Sequence, residues 1–375
     1  MTTIFTNTTA SSDQTPASGI PYIYGANDIT LTINPGIAVI SRDNFGVSSS
    51  LSGSQLANSG NIVSAAASAV AFEGSNGSIT NFFTGHISGV NGIRLNGTML
   101  DVHNFGSISG FAGAGVYLDT SAAAIALYND GDIYGRGAGV FSAIAGQAAF
   151  ENRGAVRSDS NGIEVVSGSL TILNEGFIVS NFGESIRTTG SGSIFLTNKG
   201  TLQGDINCLS GGNDAIVNLG GEIKGDVFLG DGSDTFNGTG GSVSGPVHGG
   251  GGEDTLIAGI DPDELWGDGD LDMFKFVKVK EIGKGQDRDV IMDFGDVVGE
   301  KIDLDAIDAK KGPGNQDFKF IGGQKFHHKA GELHMLNKSG FVVVEGDVNG
   351  DGKADFQLEV HGLGLPDKGD FLGVL

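Results

Sequence analysis

LYNDGDIYGRGAGVFSAIAGQAAFENRGAV, residues 127–156, states one short phrase twice: NDGDI at 129–133 and NRGAV at 152–156. The phrase is Asn-x-Gly-x followed by Ile, Val or Leu. It returns as NSGNI (58–62), NFGSI (104–108), NEGFI (174–178) and NKGTL (198–202), with looser copies starting at Asn81, Asn218 and Asn237. The asparagines at 58, 81, 104, 129, 152, 174, 198, 218 and 237 stand 19 to 25 residues apart. A second phrase keeps the same beat, placing Gly92, Gly115, Gly139 and Gly162 about 23 residues apart. Self-similarity at a fixed period of this length is the signature of a repeat architecture.

Between the glycines, short runs of Ile, Val, Leu and Phe alternate with small polar residues, the period of strands and not of helices. A strand–turn–strand unit of this length cannot bury its own apolar face. Stacked at about 4.8 Å per coil, successive units hydrogen-bond as parallel sheets and place like side chains on like. The predicted fold is therefore all-β, a right-handed parallel β-helix and β-roll solenoid with a β-rich C-terminal cap. Asparagine at the turns is expected to ladder amide to amide, and glycine to supply left-handed corners. The repeats resemble those of β-helical bacterial surface and autotransporter-like proteins. The predicted organisation is an N-terminal extension (1–21), a β-helix (22–205), a calcium-binding β-roll (206–274) and a C-terminal domain (275–375).

Composition narrows the partners. The chain of 375 residues carries 22 basic and 45 acidic residues, a net charge of −23, which argues against nucleic acid or an anionic membrane surface and for cations. The acids are concentrated late: residues 1–200 hold 13 acids and 7 bases, residues 201–375 hold 32 and 15. Sixty-five glycines without a Gly-X-Y period exclude collagen, and the single cysteine, Cys208, excludes an internal disulfide. The opening MTTIFTNTTASSDQTP has no basic n-region and no apolar h-region, and no run of eighteen apolar residues offers a membrane span. Export, if it occurs, needs another address.

In the acidic half the coil period gains a carboxylate. LSGGNDAIV (209–217), LGDGSDTFN (229–237) and GGGGEDTLI (249–257) place Asp214, Asp234 and Asp254 twenty residues apart. Glycines let the backbone turn so that carbonyl oxygens face inward, the aspartate adds a carboxylate, and the large apolar residue anchors a strand. Oxygen ligands without Cys or His suit a hard cation, Ca²⁺. Carboxylates on neighbouring coils repel by about 1 kcal/mol in water and about 3.5 kcal/mol at an effective dielectric near 20, so a cation is expected to hold the turns together. The pattern resembles the RTX (repeat-in-toxin) calcium-binding nonapeptide: Gly249, Gly250, Gly252, Asp254 and Leu256 match it fully. Candidate metal positions are Gly212, Asp214, Gly230, Asp231, Gly232, Asp234, Gly250, Gly252 and Asp254. Asp272 joins them from the degenerate copy GDGDLDMF (267–274), where Asp268 and Asp270 replace glycines.

From about residue 260 the chain resembles the C-terminal domain of serralysin-type secreted metalloproteases. The resemblance rests on DVIMDF (289–294), KIDL (301–304), FKFIGGQKF (318–326), GDVNGDGKADFQLEV (346–360) and DFLGVL (370–375). It implies a cap on a calcium-loaded β-roll and an uncleaved C-terminal signal for a type I secretion machinery, hence an extracellular bacterial protein. Within it, Asp347, Asn349, Asp351 and Asp355 occupy positions 1, 3, 5 and 9 of an EF-hand-like loop, but position 12 is Leu358. A calcium site and an Asx-rich turn both fit that stretch.

Catalytic chemistry is not visible. None of the histidines at 86, 103, 248, 327, 328, 334 and 361 stands in His-Glu-x-x-His, so proteolysis does not come with the resemblance. His327, His328 and His334 read as surface residues of a strand and loop, and Cys208 as a small core residue. The expectation is a non-enzymatic, adhesin-like calcium protein that displays its β-helix to a surface, a matrix or an extracellular polysaccharide. The alternative is a polysaccharide lyase or epimerase with a site on one face of the helix.

Overall fold

The computed structural model describes residues 2–16, 18–209, 211–295, 297–310, 312–364 and 366–375. The chain is all-β, about 3% helical, with parallel strands stacked as about 13 turns of a β-solenoid. It forms two units: Met1–Leu196 with Gly200–Ile206, and Thr197–Lys199 with Asn207–Leu375. Among the described residues no helix is long and apolar enough to cross a membrane.

In the first unit a coil has three strands. Ser78–Asn81, His86–Gly89 and Ile93–Leu95 make one coil, and Asp101–Asn104, Ser107–Gly110 and Val116–Leu118 of the next pair with them in parallel. Along each strand side chains alternate inward and outward, so apolar residues spaced by two fill the interior. Ile62, Ile87, Ile108, Ile133, Val156, Ile178 and Leu202 lie in register as one such interior column, all buried. Each contributes about 1.5–3 kcal/mol relative to leaving it in water. No coil could collect that stabilisation alone, which is why the fold needs its repeats. Within residues 1–21, expected to be an extension, Thr2–Ile4 already pairs with Tyr22–Tyr24 and Thr8–Ala10 with Thr30–Ile33. Ile4 and Ala10 supply the buried side chains that make this possible.

The asparagines form the expected ladder. Nδ2 of Asn58 donates to Oδ1 of Asn81 (2.8 Å), and the same bond recurs from Asn81 to Asn104, Asn104 to Asn129, Asn129 to Asn152, and Asn152 to Asn174 at 2.7–2.8 Å. The second hydrogen of each of these buried amides finds a backbone carbonyl near the following glycine, as Asn104 does at Gly106 and Asp132. Left-handed glycines do occur in the looser copies, at Gly220 (φ +75°) and Gly240 (φ +78°), but the glycines of the regular phrases are there for a different reason. None of Gly106, Gly131, Gly154 and Gly176 has a positive φ. A Cβ on Gly131, Gly154 or Gly176 would instead lie 2.1 Å from the carbonyl oxygen of the equivalent glycine one coil earlier. Likewise a Cβ on Gly92 or Gly115 would meet Ile108 or Ile133 at 2.5 Å. Close approach of stacked backbones, not handedness, selects glycine there.

In the second unit the turns continue with shorter strands: Ala215–Asn218, Thr235–Asn237, Thr255–Ile257 and Met273–Lys275 pair in parallel one after another, with Ile216, Phe236, Leu256 and Phe274 fully buried. Asn198 donates to Asn218 at 2.9 Å. Beyond Lys275, the strands Glu332–Asn337, Val342–Asp347 and Phe356–Val360 form an antiparallel meander. The meander packs on Phe318, whose ring meets Phe356 edge-on at 5.7 Å. Lys301–Asp303 extends the parallel column and is itself covered by Phe371–Leu372.

Candidate metal centre

Each acidic turn begins with an aspartate one residue before its strand, so parallel register stacks the aspartates. Asp234 Oδ1 accepts from the N–H of Asp214 (2.6 Å), Asp254 Oδ1 from that of Asp234 (2.8 Å), and Asp272 Oδ1 from that of Asp254 (2.9 Å). One oxygen of each carboxylate thus caps the main chain of the coil before it. The other oxygen, Oδ2, of Asp234, Asp254 and Asp272 is buried and meets no hydrogen-bond donor among the described residues. A buried carboxylate oxygen without a donor is costly, and proteins rarely leave one so. Burial accordingly drives these acids up: Asp234 to about 6, Asp254 to about 7 and Asp272 to about 8. The N–H bond to each pulls the other way, and neighbouring carboxylates add to the rise: Asp231 on Asp234, Asp234 on Asp254, and Asp254, then Glu300 and Asp293, on Asp272.

The glycines of these turns do take left-handed backbone: φ is +92° at Gly230, +104° at Gly250 and +117° at Gly252. In the degenerate copy Asp268 pairs in register with Gly250; it and Asp270 keep positive φ, +64° and +72°. Aspartate is one of the few residues that tolerate this conformation. The glycine positions also make room. A Cβ on Gly252 would fall 1.6 Å from Gly232 O, and one on Gly232 would fall 2.8 Å from Gly212 O. Most telling is Gly249, where a Cβ would lie 2.5 Å from Asp254 Oδ2 and 2.9 Å from Gly267 O. The space that glycine keeps open there is flanked by a donorless carboxylate oxygen and a backbone carbonyl. Gly267 repeats the arrangement, its Cβ position lying 2.4 Å from Asp272 Oδ2.

This donor set, oxygen only and mixing carboxylate with carbonyl, fits a hard divalent cation. Among the described residues no group of three or more His, Cys, Asp or Glu side chains is placed to hold an ion. A cation here would therefore be held by one carboxylate per turn together with main-chain oxygens. Of the sequence candidates, Gly212, Asp214, Gly230, Gly232, Asp234, Gly250, Gly252, Asp254 and Asp272 come together in these stacked turns. Asp231 is exposed at their rim, bridging in parallel to Gly251.

The loop at 347–355 is a separate cluster. Asp347, fully buried, accepts from the N–H groups of Gly350 (2.6 Å) and Gly352 (2.8 Å). Asp355 accepts from Val348 and Asn349, while Asn349 Oδ1 accepts from Asp351 N–H and Asp351 Oδ1 from Lys353 N–H. These are chained Asx turns, and main-chain donors engage all four side chains. Of the nearby histidines, His334 departs from expectation: it is buried, with Nε2 2.6 Å from Glu345 Oε2 and Nδ1 2.7 Å from Gln324 O. Cys208 is buried.

Three acidic members of this architecture escaped the sequence reading. Glu300 stands where register continues the aspartate column, since Met273 pairs with Lys301. Asp289 Oδ1 accepts from Asp263 N–H at 2.9 Å, a second column of the same design. Burial lifts Asp263 to about 7 and Asp289 to about 9, and Asp289 Oδ2 also lacks a donor. The usable signal was acid-x-large apolar, which Asp263-Glu-Leu265, Asp289-Val-Ile291 and Glu300-Lys-Ile302 share with Asp254-Thr-Leu256. A scan against protein-family models and a comparison with curated proteins both find no match to this chain.

Proposed function

We propose that the protein is an extracellular calcium-binding protein of RTX type, exported by a type I machinery, whose acidic turns order on binding the ion and whose β-helix is displayed for contact with a surface, matrix or polysaccharide. One observation carries the calcium part: the stacked carboxylates of Asp234, Asp254 and Asp272 bury one oxygen each without a donor, over glycine-lined spaces shared with main-chain carbonyls. Calcium bound there supplies the positive charge that lets these acids remain ionised while buried. The chain's own part is to hold one oxygen of each aspartate by the N–H of the coil before it, which aims the other oxygen inward. Left-handed glycines bring the carbonyls alongside. Where calcium is scarce the same acids repel one another or take up protons, and the acidic part loses order; where it is near the 10⁻⁴–10⁻³ M affinities of extracellular modules, folding and binding are one equilibrium. The resemblance of the C-terminal hundred residues to serralysin-type domains supports the export route.

Calorimetric titration of chelator-treated protein with calcium, followed by thermal melts monitored by circular dichroism, tests this reading. Expected are more than one ion per chain and a melting temperature that rises with free calcium. No heat of binding, together with identical melts in calcium and in chelator, would remove it.

A further inference from the structure

The Asn-x-Gly repeat of the first unit has a by-product. Because asparagine ladders inside and glycine must stay bare, each coil leaves two side chains free to vary at the same corner: the residue after the asparagine and the residue after the glycine. Register stacks the first kind as Phe82, Phe105, Asp130 and Arg153, and the second as His86, Ser107, Asp132, Ala155 and Phe177. Between them the bare glycines Gly106, Gly131 and Gly154 form a floor that no Cβ interrupts. The result is a groove of about 880 Å³ running from coil to coil, across the strands.

Its lining is unusual for a surface. Phe82, Phe83, Phe105 and Phe177 are all exposed, Phe83 at 84%. Exposed aromatic clusters of this kind mark interaction sites. At the centre both arginines are already paired: Arg157 with Asp132, and Arg153 at 2.5 Å from Glu151 and 3.3 Å from Glu175. With Asp130, Asp132, Glu151 and Glu175 against Arg153 and Arg157 the site keeps a small excess of acid, so a polyanion is disfavoured. An extended peptide lacks its usual means of attachment as well. The wall N–H groups of Phe105, Asp130, Arg153, Asp132, Ala155 and Phe177 already donate to the preceding coil, so no strand edge is open for pairing. What remains is a set of apolar ring faces at the ends, with hydroxyl-matching donors and acceptors between them. Its lining positions, with different side chains on each coil, recur at the coil rise of about 4.8 Å, close to the length of one β-linked hexose.

We propose that this groove binds a single chain of a neutral, linear polysaccharide, one sugar per coil, with rings stacking on Phe82, Phe83, Phe105 and Phe177 and hydroxyls meeting the Asp132–Arg157 pair. The proposal rests on the reading of the β-helix as a displayed surface and is independent of calcium, since every residue it uses lies outside the acidic turns. The protein is titrated calorimetrically with cellohexaose, laminarihexaose and mannohexaose, each with calcium and with chelator. Polygalacturonate, alginate and an extended-peptide library serve as contrasting arms. At least one neutral hexasaccharide should bind more tightly than its trisaccharide. Phe83→Ala with Phe105→Ala should weaken it by about tenfold or more, the size of one lost anchor contact. Phe177→Ala alone should weaken it too, and Phe182→Ala, 89% exposed outside the groove, should not. Failure of every neutral hexasaccharide to bind at millimolar concentration, binding confined to the polyanions or peptides, or binding unmoved by both groove variants would overturn the proposal. None of these outcomes depends on the ion titration, so the two readings fail separately.

Discussion

The main-chain N–H of Asp234 donates to Oδ1 of Asp254, 2.8 Å away and one coil on, while the other oxygen of that carboxylate is buried without a donor. This division of labour within a single side chain makes the acidic turns both a scaffold and a candidate ion site.

It sets a pH dependence whose sign is opposite to that of most acids. Burial raises Asp234, Asp254 and Asp272 to about 6, 7 and 8 in the folded chain, whereas in an unfolded chain aspartates titrate near 3.9. Between those values the folded state holds protons that the unfolded state has released, so stability falls as pH rises. In chelator, the second unit should therefore melt at a higher temperature at pH 5 than at pH 8.5. Saturating calcium should reverse the order, because ligation needs ionised carboxylates and releases their protons. The fluorescence of Trp266, the only tryptophan, sits on this unit stacked at 5.4 Å on His248 and follows both melts.

Asp254→Asn and Asp254→Ala should part company. Asparagine keeps an acceptor for the Asp234 N–H and removes a buried charge, so in chelator at pH 8 it should stabilise, by about 1–2 kcal/mol. Alanine strands that N–H and should cost about 1–3 kcal/mol. Both should reduce the number of calcium ions taken up. Urea denaturation and calorimetry on the two variants measure these effects.

The amide ladder predicts a large local effect in the first unit. Asn104 accepts from Asn81 and donates to Asn129, so Asn104→Leu leaves one buried donor and one buried acceptor unmatched. A loss of about 2–4 kcal/mol in denaturant unfolding is expected, far above the cost of changing an exposed residue.

Gly131→Ala should also be harmful, for steric reasons. Its methyl would fall 2.1 Å from Gly106 O, forcing two coils apart, with an expected cost of about 1–3 kcal/mol as for other overpacked sites. A modest change in unfolding midpoint, below that of Asn104→Leu by an order of magnitude, would show that the coils separate easily.

The solenoid was legible because its cause is periodic: an asparagine that must be buried and bonded every coil, next to a glycine that must be bare, leaves a mark at one spacing. The aspartates at 214, 234 and 254 were legible on the same ground. Glu300 was not, because 28 residues separate it from Asp272 where the preceding steps are 20 and 18; the chain makes an excursion before rejoining the column. Asp263 and Asp289 belong to a parallel column that no nonapeptide pattern describes. The reason for glycines such as Gly131 and Gly154 differs from the one expected, while Gly220 and Gly240 take the left-handed corner, since close backbone approach and such a corner ask for the same residue and only the φ angles separate them. The groove was invisible in one dimension: Phe82 and Phe177 become neighbours of one surface only after four coils of register place them so.

Because each asparagine from Asn81 to Asn152 passes on the hydrogen bond it receives, removal or duplication of one whole coil among them would leave each amide with a donor before it and an acceptor after it. Loss of a single residue within a coil would turn the next strand inside out. Length in such a chain is thus a quantity that evolution can adjust in whole steps without redesigning the interior, and the groove lengthens by one subsite with every step.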